Sequence, residues 1–159
     1  MVKYKDMKKI YTQVVETKIL DLKLQIKKMK LLKDVIPKWS KKIPIANPHS
    51  GGITKAIGVY KVFYGPTGQL MAIGQGNISS RRTRHISIFK NKGDSIMWES
   101  GASEGSQTAS KMYKFDKNIN NWLFSWCDCA NKQIAIELEN HLITKLKPKF
   151  NLQSMAGVN

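Results

Sequence analysis

Ile57-Gly58-Val59-Tyr60-Lys61-Val62-Phe63-Tyr64 runs into Gly65-Pro66-Thr67-Gly68 and then into Gln69-Leu70-Met71-Ala72-Ile73-Gly74. The first run is rich in β-branched and aromatic residues, and Val59, Lys61 and Phe63 alternate with Gly58, Tyr60, Val62 and Tyr64, as on the two faces of a strand. Four residues carrying two glycines and a proline then turn the chain, and the second run is again extended, so the stretch predicts a β-hairpin. After Gly76-Asn77 the pattern changes to that of a helix over Ile78 to Lys90, with Asn77 or Ser79 able to cap it. Arg81, Arg82, Arg84 and His85 crowd its start.

Downstream of the hairpin, residues 91–110 are rich in Gly and Ser and read as a loop, with Ser95 to Glu99 suited to a short strand. Trp122 to Cys129 holds large apolar residues with few breakers and reads as a third strand. Asn131 to Lys147 places Ile134, Leu138, Leu142 and Leu146 at four-residue intervals, the signature of an amphipathic helix, which Pro148 ends. The expectation for residues 48–159 is therefore a small α+β domain whose three-stranded sheet is flanked by helices.

Upstream the composition shifts. Residues 1–42 hold 13 lysines against four acids. Tyr11, Val15, Ile19, Leu22, Ile26, Met29 and Ile36 recur at steps near three and four, giving one face of a helix or of two helices sharing the stretch. Pro37, Pro44 and Pro48, with Gly51 and Gly52, then break it. Residues 1–47 are thus expected to form a basic helical extension and arm. Lys23, Lys27 and Lys30 on the helix, and Lys38, Lys41 and Lys42 on the arm, are the candidates to follow a phosphate backbone.

The whole chain of 159 residues carries a formal charge of +16, from 27 Lys+Arg against 11 Asp+Glu, which points to a polyanionic partner. A membrane surface is the rival polyanion, but no apolar run approaches the ~18 residues that would span a bilayer. Met1 to Lys9 is too polar for a signal peptide, so the chain is expected to be soluble and cytoplasmic. Its two cysteines, Cys127 and Cys129, are too close for an unstrained disulfide. A zinc site would have to recruit His141 with His85 or His49 from afar, so ordinary reduced thiols on a strand are expected.

Hydrolysis of a phosphodiester needs an activated water, a cation to offset phosphate charge, and help for the leaving oxygen. Suitable side chains gather in two places: Tyr60 with Arg81, Arg82, Arg84 and His85, and the last helix with Glu137 and Glu139. Arg81 and His85 are four apart and so share a helix face, and Glu139 borders the apolar stripe through Leu138 and Leu142, where a carboxylate can reach a cleft.

Here the residues carry a resemblance. Gly58-Val59-Tyr60, a turn, Ala72-Ile73-Gly74, the downstream Arg81-x-x-x-His85, Leu138-Glu139-x-x-Leu142-Ile143 and Pro148-x-Phe150-Asn151 together resemble the GIY-YIG nuclease domain, over about residues 57 to 152. The resemblance implies a metal-dependent endonuclease cutting DNA, with RNA also open, and with a restriction- or homing-type extension. It implies that Glu139 holds one divalent cation, Mg²⁺ or Mn²⁺, that Arg81 binds the scissile phosphate, and that Tyr60 orients or deprotonates the attacking water, its phenol made more acidic by nearby positive charge. His85 would share the base role or hold the phosphate, and Asn151 would fix the site by hydrogen bonding. The chain departs from the family at Ala72, where a second tyrosine belongs; Tyr64, on the same strand parity as Tyr60, is the candidate substitute. Arg82 competes with Arg81 as phosphate ligand, with Arg84 supporting. One set of site residues implies a monomer that nicks or a homodimer on DNA. The competing expectation is a nucleic-acid-binding protein on a degenerate nuclease fold, or a basic ribonucleoprotein component.

Overall fold

The computed structural model describes residues 4–33, 35–47, 52–94, 96–97, 103–104 and 107–151. The chain divides into two units, Met1–Ile36 and Pro37–Asn159. In the first, α1 (Tyr4–Lys33) is one unbroken helix of 30 residues rather than two. Its apolar positions Tyr11, Ile19, Leu22, Ile26 and Met29 are exposed, as are Lys23, Lys27 and Lys30.

The second unit is α+β. Its elements are β1 (Ile43–Pro44), β2 (Ile57–Tyr64), β3 (Gln69–Asn77), α2 (Ile78–Lys90), β4 (Ile96–Met97), β5 (Ser103–Glu104), α3 (Gln107–Phe115), β6 (Trp122–Asp128) and α4 (Lys132–Leu146). The main sheet is antiparallel throughout, in the order β1-β6-β2-β3, and β4 pairs with β5 in a separate ribbon. The predicted hairpin is its centre: Tyr60 faces Gly74 on β3 and Trp126 on β6. A bulge after Val62 absorbs a residue between the two strands.

Two expectations are corrected. The main sheet has four strands, not three, and the body begins near Pro37, not at residue 48. The arm is part of the sheet: Ser40 N–H donates to the Trp126 carbonyl at 2.7 Å, Ile45 N–H to that of Trp122 at 2.9 Å, and the Ile45 side chain is fully buried. An edge strand of two residues ending in proline is too short to show alternation, so composition alone reads it as a linker. The segment 91–110, read as a loop, holds the β4–β5 ribbon and the start of α3. Nine residues with two serine or threonine positions make a weak helix on propensity; packing fixes α3, with Ala109 and Met112 buried and Tyr113 edge-on to Phe89 at 5.5 Å.

The core lies on the sheet face bearing Tyr60, Val62, Ala72, Trp122 and Phe124, where Ile78 and Phe89 of α2, Met112 of α3, Ile45 and Phe150 close over it. Val59, Ile73 and Cys127, of opposite parity, are buried too, as in a sheet covered on both faces. α4 packs on β2 and β3 and buries Ala135 and Leu138. Cys127 and Cys129 are free thiols, and His49 lies outside the described residues. Among the described residues no helix is long and apolar enough to cross a membrane.

Candidate active site

Three elements supply the site: β2 gives Tyr60, α2 gives Arg81, Arg84 and His85, and α4 gives Glu139. The connection from β3 to α2 is abrupt. Asn77 takes an extended backbone and its side chain accepts from Ser80 N–H at 2.9 Å, capping α2 so that Arg81 stands in the first turns of the helix.

Tyr60 is held from three sides. Its ring stacks on Phe124 at 5.1 Å and 21°, and His85 meets it edge-on at 5.5 Å and 86°. Its hydroxyl crosses the opposing residue of β3, Gly74, where a Cβ would fall 2.3 Å from the phenolic oxygen. Only glycine leaves that path open. The next glycine acts likewise for the arginine: at Gly76, with φ of +135°, a Cβ would stand 2.6 Å from Arg81 Nε. Gly74 belongs to the motif quoted above, whereas Gly76 escaped sequence reasoning, although a Gly-x-Gly directly before a helix cap is the signal that marks it.

Electrostatic coupling joins the cluster. Burial pushes the Tyr60 phenol up to about 12, with the charge of Arg81 opposing, that of Glu139 adding and that of Arg84 opposing. The expectation of a more acidic phenol is therefore reversed, because the loss of hydration outweighs two guanidinium groups. Glu139 is half-buried, and burial raises its carboxyl above the ordinary range while Arg81 pulls it down. His85 is 1% exposed; burial lowers it to about 4, so it is a neutral imidazole at pH 7. Its Nδ1 lies 2.6 Å from the Arg81 carbonyl, which assigns the ring proton to Nδ1 and leaves Nε2 as an acceptor, buried and without a partner among the described residues. So enclosed, His85 supports Tyr60 and the first turns of α2 rather than facing a phosphate.

The remaining candidates separate. Arg82 donates through Nη2 to the Asn47 carbonyl, and the guanidinium charges that act on Tyr60 are those of Arg81 and, more weakly, Arg84. Tyr64 sits four residues along β2, about 13 Å at ~3.3 Å per residue, and donates its hydroxyl to Asp116 at 3.0 Å. It does not replace the missing second phenol. Ala72 is fully buried opposite Val62, in the core rather than at a site edge. Asn151 clamps β3 by accepting from Ile73 N–H and donating to the Ile73 carbonyl, both at 2.9 Å, immediately beside Gly74. Glu137 is buried and accepts from Gln133 at 2.9 Å. On the arm Lys38, Lys41 and Lys42 are exposed, with the Lys42 ammonium 3.9 Å from the Phe63 ring centre.

Among the described residues no three His, Cys, Asp or Glu side chains gather as a metal site. A lone half-buried carboxylate beside a guanidinium fits a hard divalent cation only where waters and phosphate oxygens complete the shell, which is the way Mg²⁺ is commonly held. Compared with protein-family models the chain matches none, and no curated protein matches it.

Proposed function

We propose that this chain is an endonuclease of the GIY-YIG kind that hydrolyses phosphodiester bonds in DNA with the help of a divalent cation. One observation carries the reading: a phenol, a guanidinium and a carboxylate from three separate elements influence one another's charge, and two glycines leave room for the first two. Groups with such perturbed ionisation gathered at one place are characteristic of reaction centres.

In this reading Arg81 holds the scissile phosphate and offsets charge developing on it, with Arg84 adding to the field. Tyr60, a neutral phenol at pH 7, orients the attacking water by hydrogen bonding rather than taking its proton outright. Glu139 would be the protein's ligand for Mg²⁺ or Mn²⁺, which would supply Lewis-acid chemistry at the phosphate. His85 and Asn151 position Tyr60, Arg81 and β3 without touching substrate. The exposed lysines of α1 and the arm supply affinity for the phosphate backbone.

Incubating plasmid DNA with the protein in Mg²⁺ and then in EDTA tests this. The wild type should nick or linearise plasmid only with metal, and Glu139→Ala should abolish cleavage while keeping the fold. Equal, intact plasmid with both proteins would sink the nuclease reading. It would favour the second one, a nucleic-acid-binding protein without catalysis, for which the buried Ala72 and the Asp116-bound Tyr64 speak.

A further inference from the structure

Around α2 from the Tyr60–Arg81 cluster lies a concavity of about 470 Å³, within the range of roughly 300–1,000 Å³ that small-molecule sites occupy. Its charge comes from Arg82, Lys90 and Lys117, its apolar wall from Ile86, Phe89 and Ile119, and among the described residues no acidic side chain lines it. Arg82, Ile86 and Phe89–Lys90 follow one another at helical spacing, so a single stripe of α2 builds most of it. Arg82 is anchored by its Nη2 to the Asn47 carbonyl, and its Nε is buried with no hydrogen-bond partner among the described residues. A guanidinium held in place by Asn47 and partly desolvated, with two ammonium groups lining the same concavity, suits an anion, and oxygen-rich phosphate is the anion that fits it best.

The apolar wall narrows the ligand further. A pocket for a bare anion needs no isoleucines and no phenylalanine, whereas a nucleotide brings a phosphate for the cations and a flat base for the apolar side. Consecutive residues leave a helix about 100° apart. Arg81 and Arg82 therefore direct two adjacent stripes of α2, one to the catalytic cluster and one to this pocket, roughly one helix diameter (~10–12 Å) apart. A nucleic-acid strand crosses that distance in a few nucleotides.

We infer that this pocket binds one nucleotide unit of the nucleic-acid strand, its phosphate on Arg82, Lys90 and Lys117 and its base on Ile86, Phe89 and Ile119. The inference rests on the nuclease reading for its strand, but it concerns a place that the catalytic residues do not occupy. It gives Arg82 a role apart from the scissile phosphate and makes α2 the element that sets the spacing between an anchored nucleotide and the cut.

The test uses the full chain in EDTA, so that no cleavage is involved. A deoxynucleoside 5′-monophosphate, the matching deoxynucleoside and inorganic phosphate are titrated separately by calorimetry. The monophosphate should bind at least about tenfold more tightly than either of the others, and a short single-stranded oligonucleotide should displace it. Lys90 and Lys117 are exposed, so Lys90→Glu with Lys117→Glu should fold normally and weaken the monophosphate at least about tenfold. Ile119→Ser should weaken the monophosphate but leave phosphate unchanged, and Glu139→Ala should change neither. Phosphate binding as tightly as the nucleotide, indifference to the double reversal, or failure of the oligonucleotide to compete would each overturn the proposal. Plasmid cleavage without nucleotide binding defeats the pocket alone; nucleotide binding without cleavage supports the pocket and defeats the nuclease reading.

Discussion

The guanidinium of Arg81 lies across the backbone of Gly76, and a Cβ at that glycine would stand 2.6 Å from Nε. The site thus depends on the absence of a side chain as much as on the presence of one. Gly76→Ala would move Arg81 and also force alanine to φ of +135°, a strain of about 1–3 kcal/mol. Cleavage should fall well beyond what the loss of stability explains, because Arg81 leaves its position. A variant with lowered Tm and wild-type cleavage per folded molecule would show that Arg81 does not work from there. Gly74→Ala should act the same way through Tyr60 without the φ penalty.

Stability should fall with acid in a window set by His85. Its pKa is depressed to about 4 in the folded state by burial, from an ordinary value near 6.5, so the unfolded chain takes up a proton first. The stabilisation is complete above about pH 6.5 and is lost as pH falls toward 4, by at most about 3 kcal/mol for a shift of that size. Urea unfolding at pH 4 and pH 7, comparing wild type with His85→Gln, measures it. An equal pH slope in the two proteins would remove His85 as the source.

Placing a tyrosine at position 72, where the resemblance expects one, should harm the protein. Ala72 is fully buried against Val62 in the core, and a phenol there overpacks it at a cost of about 1–3 kcal/mol or more. Ala72→Tyr is expected to unfold at lower temperature and to cleave no faster. A faster variant would mean that the strand can open toward the site at position 72.

Asn151→Ala removes both hydrogen bonds to Ile73 and leaves the edge of β3 loose beside Gly74. A loss of about 1–3 kcal/mol is expected, with DNA affinity in EDTA held near that of wild type and turnover reduced. Weaker binding with unchanged turnover would place Asn151 on the DNA instead.

Lys23, Lys27 and Lys30 are exposed along one side of α1. If they meet phosphates, changing all three to Gln should make the slope of log affinity against log salt shallower by roughly 0.9 for each phosphate no longer neutralised. An unchanged slope in a filter-binding titration would assign the affinity elsewhere.

Local periodicity explains what was legible in the sequence. β2, α2 and α4 each repeat their pattern over eight residues or more, and their limits agree closely with the expected ones. β1 escapes because Ile43-Pro44 is too short for a pattern and owes its pairing to Trp122, Phe124 and Trp126, about eighty residues away. α3 escapes because its stability comes from Phe89 and the core rather than from its own residues. Within the site, spacing gave Tyr60, Arg81, His85 and Glu139 as candidates, but not the sign of the Tyr60 shift. That sign depends on burial under Phe124 and His85, a tertiary quantity. The four-residue step to His85 already favours Arg81 over Arg82, and the structure adds the reason that Asn47 claims the second guanidinium.

The two borders of the main sheet are both spoken for. On one, Pro44 occupies the outermost strand, exposed and without an N–H to offer. On the other, the Asn151 side chain already occupies the donor and the acceptor of Ile73 in the middle of β3. A second molecule that tried to lengthen the sheet would meet a missing donor on one side and would have to displace an amide on the other. Under the proposed nuclease function, two copies on one duplex would have to join through helices or through the nucleic acid itself, leaving the strands that carry Tyr60 and Gly74 undisturbed.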